Sequence, residues 1–218
     1  MQRFFDVFFS ILALLFLFPL LVPIICILNF TGEGEVFYTQ ERVGQGGKIF
    51  GLLKLATMLK NSSNIGSKDI TIQNDPRVLP FGKFLRKSKI NELPQLWNII
   101  IGNMSIVGPR PMIPKTYLNY SKKVQDRLNI VKPGLTGIGS IVFRDEESFL
   151  AELNNPMEFY IKNIIPYKSD LEIWFVENNS LWLYLKIIIL TAWIVIFPKS
   201  NIINVAFKGL PDAPKNLK

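Results

Sequence analysis

Residues 86–98 read RKSKINELPQLWN, and their charges set a chemical problem. Arg86, Lys87 and Lys89 precede a single carboxylate, Glu92, with the neutral amide of Asn91 beside it. Leu93, Leu96 and Ile99 then form a helical stripe, and Pro94 is tolerated only inside a helix's first turn. This pattern predicts a helix start with Asn91 near the N-cap and Glu92 in the first turn, where free amide donors attract anions. Other cations, Arg42, Lys54 and Arg110, stand beside stiff or glycine-containing turns. Arg110 sits between Pro109 and Pro111, so its backbone is biased extended, and its planar fork can grip a phosphate with two hydrogen bonds. The combination points to chemistry on a polyanionic phosphate. The chain has no histidine, which excludes a Ser-His-Asp triad, a Cys-His pair and histidine metal sites. Any metal is then a hard, oxygen-seeking ion such as magnesium.

The elements that must hold these residues are legible in outline. The stretch VFYTQERVGQGGKIFGLLKL reads as two short strands around a glycine-rich turn. No Walker lysine-serine follows Gly44, Gly46 and Gly47, so a hairpin is the better reading than a phosphate loop. Residues 60–75 form a polar loop. Helical patterning resumes from Gly82, SIVGPRPMIPK is stiffened by three prolines, VKPGLTG reads as a turn and short strand, and 146–180 is helical with Tyr160, Tyr167 and Trp174.

The 218 residues are enough for one domain with an attachment, and nearly half of them (49%) are hydrophobic. Val7 to Leu28 runs for 22 residues without a charge, longer than the roughly 20 needed to span a bilayer core. No convincing cleavage site follows, so the expectation is an uncleaved anchor. Arg3 and Asp6 cancel, leaving the net charge of +8 to the rest of the chain. A plain span with Arg3 inside would place that basic domain outside, against the positive-inside tendency. Pro19 and Pro23 permit a kinked, re-entrant helix with both ends on the cytoplasmic side. A second apolar run at 181–197 carries Lys186 with Trp182, Tyr184 and Trp193, which suits a membrane interface. The single cysteine, Cys26, permits no internal disulfide. The basic charge is matched by anionic lipid head groups, and no nucleic-acid motif accompanies it.

With these residues in hand, the chain resembles the bacterial sugar transferases, the small monotopic phosphoglycosyl transferases. The stretches that carry the likeness are FYTQERVGQGGKIFGLLKLATM, FGKFLRKSKINELPQLWNIIIGNMSIVGPRP and VKPGLTG, extending from the anchor to about residue 145. The resemblance implies a helix-rich α/β fold. A re-entrant membrane helix at 1–30 would precede a compact cytoplasmic domain at 31–218, with a short β-hairpin and interfacial amphipathic helices, one near 181–197. It also implies a place at the cytoplasmic face of the bacterial inner membrane. The implied reaction moves a sugar 1-phosphate from a UDP-sugar to polyprenyl phosphate, giving polyprenyl diphosphate sugar and UMP, with magnesium assisting. In the family an aspartate attacks the sugar-side phosphorus and the following glutamate assists.

Lys54, Arg86, Glu92, Gln95 and Arg110 match the family pattern. This implies phosphate-binding roles for Lys54, Arg86, Gln95 and Arg110, and a metal-binding and catalytic role for Glu92. The aspartate of the family falls on Asn91, whose amide is a feeble nucleophile. Asn103, Ala56 and Ile138 depart from the pattern as well. Three readings of Asn91 follow: Glu92 replaces the nucleophile; the sugar phosphate passes directly between substrates; or the chain is a disabled relative that binds nucleotide sugar or polyprenyl phosphate as an assembly protein.

Overall fold

The computed structural model describes residues 1–62, 75–144, 146, 150, 155–197, 200, 202, 206–207 and 209–214. Most of the polar loop expected at 60–75 therefore lies outside the described residues. Helix α1 (Gln2–Phe30) is followed by strands β1 (Phe37–Val43) and β2 (Ile49–Leu55) and by helix α2 (Pro80–Lys87). A 3-10 turn, Ile90–Glu92, then leads into α3 (Gln95–Ile101). Beyond it come β3 (Ser105–Val107), α4 (Pro114–Tyr117), α5 (Lys122–Leu128), β4 (Gly134–Thr136) and α6 (Ile138–Val142). Helix α7 (Pro156–Phe159) passes through a π-helical turn, Tyr160–Ile164, into α8 (Ile165–Glu177), and α9 (Leu181–Ile196) closes the described helices.

The expected hairpin is present: β1 and β2 pair antiparallel, with Tyr38 opposite Lys54 and Arg42 opposite Phe50. Alternation along a strand places Arg42 and Lys54 on the same face. Leu52 lies between them in register and is buried with Leu96, Ile99 and Met104 against α3. Asn98 fastens this contact as a strand neighbour would. Its side-chain oxygen accepts from the Leu53 N–H at 2.9 Å and its amide donates to Gly51 O at 2.8 Å, so β2's outer backbone groups are satisfied by a helix side chain.

Strands β3 and β4 pair in parallel, and the crossing is possible only because it is glycine-lined. A Cβ on Gly134 would lie 2.1 Å from Gly108 N, and one on Gly137 would lie 2.1 Å from Gly108 O. This contact locks VGPRP onto PGLTG and fixes where the proline-rich loop leaves β3. Helices α8 and α9 cover the other side. Leu171, Phe175, Tyr184 and Ile187 pack there with Ile138 and Val107 in the largest core cluster.

Helix α1 lies against this domain along much of its length, about 43 Å for 29 residues. Near its start, buried Asp6 accepts hydrogen bonds from Ser105 Oγ, Ile106 N and Tyr184 Oη, each 2.9 Å. Arg3 donates to the carbonyls of Ile99 and Ile100 at the end of α3, which satisfies orphan helix carbonyls. In the sequence these two residues read as flanking charges that cancel; in the fold both are spent on docking α1. Near its other end Ile24 and Leu28 pack with Leu55 and Leu85. Between these contacts Leu15, Phe16 and Phe18 are exposed. Among the described residues α1 is the one helix long and apolar enough to cross a membrane. Helix α9 is likewise two-faced: Leu183, Ile187 and Ile194 are in the core, while Trp182, Ile189, Trp193 and Val195 face outward.

Candidate active site

The charged site is assembled from three pieces of chain that the sequence leaves far apart. The hairpin contributes Arg42 and Lys54, the turn after α2 contributes Asn91 and Glu92, and the proline-rich loop after β3 contributes Arg110. Glu92 and Arg110 meet directly, with Arg110 Nη2 donating to Glu92 Oε1 at 2.8 Å. Arg42 donates to Pro111 O at 2.9 Å while Val43 N donates to Met112 O at 2.9 Å. The hairpin therefore grips the loop that carries Arg110.

The electrostatics show how tightly these groups converge. Burial pushes the Lys54 ammonium down to about 7, and the field of Arg42, Arg110 and Arg86 pushes the same way against Glu92. Arg42 falls to about 10, first through burial and then through repulsion from Arg110. Burial pushes the Glu92 carboxyl upward, but Arg110, Lys54 and Lys89 together outweigh it and bring Glu92 down to about 2. Burial, reinforced by mutual repulsion, lowers the cations, and together they hold Glu92 ionised. Arg42 Nε is buried with no hydrogen-bond partner.

Asn91 departs from the expected N-cap. Lys89 adopts a left-handed backbone, φ 59°, which stops α2 and starts the separate 3-10 turn holding Asn91 and Glu92. Helix α3 begins only at Gln95, with Pro94 at its cap position. Its entry is made by 3-10-type bonds, Leu96 N to Leu93 O and Trp97 N to Pro94 O, both 3.0 Å. Since the backbone satisfies itself, Asn91 is not needed as a cap, and its Oδ1 is buried without a partner. Anion attraction here rests on side-chain cations rather than on the end of α3.

Of the phosphate-binding residues expected from sequence, Lys54, Arg86 and Arg110 share one field with Glu92. Gln95 is buried at the first position of α3, three residues beyond Glu92. Two buried polar residues carried little sequence signal. Asn98 looks like an ordinary helix residue until its contacts with β2 are seen. Glu172 is a carboxylate inside the apolar run LEIWF and is buried on α8; that burial context was its only signal.

The oxygen donors available to magnesium are the Glu92 carboxylate and the orphaned Asn91 Oδ1. No group of three or more metal-ligating side chains occurs among the described residues. This set suits an ion carried in on substrate phosphates, which needs one or two protein oxygens, and does not form a closed protein cage.

The state of Lys54 has a testable consequence. Its folded value lies below its ordinary 10.5, so between about 7 and 10.5 the unfolded chain binds more protons than the folded one. Burying Lys54 therefore costs stability below 10.5, in full below about 7, and stability rises with pH across that window. A bound polyanion would restore the proton, so the affinity for inorganic pyrophosphate as a probe is expected to fall as pH rises. The expected result is roughly tenfold weaker binding at pH 8.5 than at pH 7, measured by titration calorimetry, with the dependence flattened in Lys54→Met. A pH-independent affinity in the parent protein would remove Lys54 from the phosphate site.

Comparison with known proteins agrees with the geometry. A family model described as bacterial sugar transferase matches residues 1–198. The chain is 34% identical over 190 residues to a UDP-glucose:undecaprenyl-phosphate glucose-1-phosphate transferase of Xanthomonas campestris pv. campestris, covering 86% of this chain and 37% of that protein. It is 30% identical over 210 residues to an undecaprenyl-phosphate galactose phosphotransferase of Salmonella typhimurium, covering 90% and 40%. It is 37% identical over 162 residues to the exopolysaccharide production protein ExoY of Sinorhizobium fredii, covering 68% and 71%. The chain thus spans about two fifths of the length of the first two relatives.

Proposed function

The chain belongs to the bacterial sugar transferase family, and on that premise we propose that it transfers a sugar 1-phosphate from a UDP-sugar to polyprenyl phosphate at a membrane surface. The observation that carries this reading is the meeting of Arg110 with Glu92 at 2.8 Å beside Arg42, which holds the Arg110 loop, and buried Lys54, whose charge feels Arg42, Glu92 and Arg110. Such a site repels cations, attracts a diphosphate, and can neutralise charge on phosphorus during displacement.

The chemistry follows from what each residue can do. The Asn91 amide cannot attack phosphorus, and the Glu92 carboxylate is engaged by Arg110 at 2.8 Å. Direct transfer is the reading these facts support. A phosphate oxygen of the lipid attacks the sugar-side phosphorus, the bond to the bridging oxygen breaks, and UMP leaves with that electron pair. No proton transfer is required, because attacking and leaving groups are both phosphate oxygens. Arg110 and Lys54 hold the equatorial oxygens, while Glu92 fixes Arg110. Magnesium, when bound, adds charge neutralisation on the diphosphate, with Glu92 and Asn91 Oδ1 as its protein oxygens.

The contacts of α1 support a re-entrant anchor. Asp6 and Leu28 touch the same domain from opposite ends of the helix, while the exposed apolar stretch between them suits lipid. Residues 1–30 then form the anchor and 31–218 the catalytic domain on the cytoplasmic face of the inner membrane, with the outward face of α9 at the interface. Single cysteines at Gln2 and Glu33, in a Cys26→Ser background, are expected to label from the same side of sealed vesicles. Labelling from opposite sides would establish a span.

The activity is tested by UMP release from protein in nanodiscs supplied with polyprenyl phosphate, magnesium and a panel of UDP-sugars. Release that requires the lipid is the expected result. Intact UDP binding with no release from any sugar would instead support an assembly protein that holds its ligands without turnover, a reading favoured by the missing carboxylate at Asn91.

A further inference from the structure

A cavity of about 590 Å³ lies apart from the transfer site, between the end of α8, the first turns of α9 and the segment around Phe207. Trp174, Trp182, Leu183 and Phe207 supply its apolar walls, and Asn178 and Lys186 its polar groups. Trp174 meets the Phe207 ring edge-on, with centroids 6.0 Å apart. The Lys186 ammonium stands over the same ring, 5.0 Å from its centroid. Aromatic walls with a few polar groups, in a space of this size, suit a small amphiphile.

Lys186 gives the cavity its charge, as the only charged side chain among the described residues that line it. One of its three ammonium donors goes to the Ala206 carbonyl. That bond holds the cation at the wall and leaves it donor capacity for an anion. Along α9, Lys186 shares a stripe with Trp182, Ile189, Trp193 and Ile196, at alternating spacings of four and three residues. Those four are 74%, 66%, 44% and 67% exposed. A lone cation in an exposed apolar stripe is the pattern of a surface that meets lipid chains together with an anionic head group.

The position of the cavity beside the anchor points the same way. Gln2, the first residue of α1, donates to Asn179 Oδ1 at 2.9 Å, next to Asn178 at the cavity wall. The cavity therefore lies beside the N-terminal turn of α1, ahead of the charge-free run that begins at Val7. On the anchor reading this is the depth of the lipid head groups, where tryptophan is also favoured. A free phosphate would gain nothing from the aromatic walls.

We propose that this cavity binds an anionic phospholipid, its phosphodiester on Lys186 and the start of its chains against Trp182 and the α9 stripe. The proposal rests on the placement of α9 at the membrane interface, and adds to it a site for a lipid of defined charge.

The test uses the full chain in nanodiscs, with Trp97→Phe and Trp193→Phe so that tryptophan emission comes from Trp174 and Trp182. Lipids brominated on the upper acyl chain quench a ring they touch. Brominated phosphatidylglycerol, added to phosphatidylcholine discs, is expected to quench at about fivefold lower fractions than brominated phosphatidylcholine. Lys186→Gln abolishes that preference and Lys186→Arg keeps it. Asn178→Asp, which sets a like charge beside the lipid phosphate, abolishes it as well and serves if the glutamine variant does not fold. Excess glycerol phosphate leaves the quenching unchanged. Equal quenching by the two lipids in the parent would overturn the site while keeping α9 at the interface. A preference that survives both Lys186→Gln and Asn178→Asp would assign it to general surface charge and overturn the proposal. Displacement by glycerol phosphate would make the cavity a site for a soluble phosphate and overturn it too. No quenching by either lipid would end the interface reading of α9 and the proposal with it.

Discussion

Glu92→Gln loses at least about a hundredfold in UMP release while binding UDP as tightly as the parent or more tightly. Glutamine keeps the size and one acceptor oxygen, so Arg110 can still be met at the same place; the change is chiefly one of charge. Glu92 is the carboxylate whose field opposes Arg42 and Lys54 and which pairs with Arg110 at 2.8 Å. Removing it makes the site more positive, which favours a diphosphate anion in the ground state. Turnover falls because Arg110 loses its charged partner and the metal loses its carboxylate when charge shifts onto the leaving UMP. The split between retained affinity and lost turnover identifies an interaction made for the transition state. Release within threefold of the parent would show that Glu92 does not work on the reacting phosphate.

Asn91→Asp is expected to act in the opposite direction, raising UMP release at least about tenfold and creating a covalent intermediate. The substitution exchanges an amide for an oxygen of nearly the same shape at a position where Oδ1 is already buried and has no partner. Two adjacent carboxylates repel, but the fields of Arg110, Lys54 and Lys89, which already outweigh burial at Glu92, oppose that repulsion. A nucleophile then stands where the parent has none. The direct readout is intact mass after incubation with UDP-sugar alone: the variant gains one sugar phosphate, displaced on adding polyprenyl phosphate, and the parent gains nothing. An adduct on the parent would replace direct transfer by attack from Glu92. No adduct and no gain in the variant would mean that the missing carboxylate does not limit this chain.

Local chemistry made part of this legible in advance. Glycines between alternating strands required a hairpin, and residues 37–55 form one. The apolar stretch from Val7 to Leu28 required a long helix, and it lies inside the 29-residue α1. Asn91 was misread as a cap because the pattern of Leu93, Leu96 and Ile99 carries no record of the left-handed turn at Lys89, which splits the segment into a 3-10 turn and a later helix. The docking roles of Arg3 and Asp6 could not be read there, because a charge near an apolar run looks the same whether it faces water or, like Asp6, accepts hydrogen bonds from Ser105 and Tyr184, about 100 and 178 residues away.

The amino-acid sequence by itself determined the chemical inventory: cations without histidine, one carboxylate beside an amide, an arginine stiffened by prolines, and an apolar helix. Spacing along the chain records neighbours within a few residues, so it reports turns, periodicity and backbone bias. It holds no information on whether Lys54, Glu92 and Arg110 meet. That was decided by tertiary contacts: Asn98 closing the hairpin onto α3, three glycines letting β3 and β4 cross, and Arg42 holding the Pro111 carbonyl of the proline-rich loop. Only those contacts bring the cations within reach of one another, where burial lowers their charge, and on this arrangement the proposed diphosphate site rests.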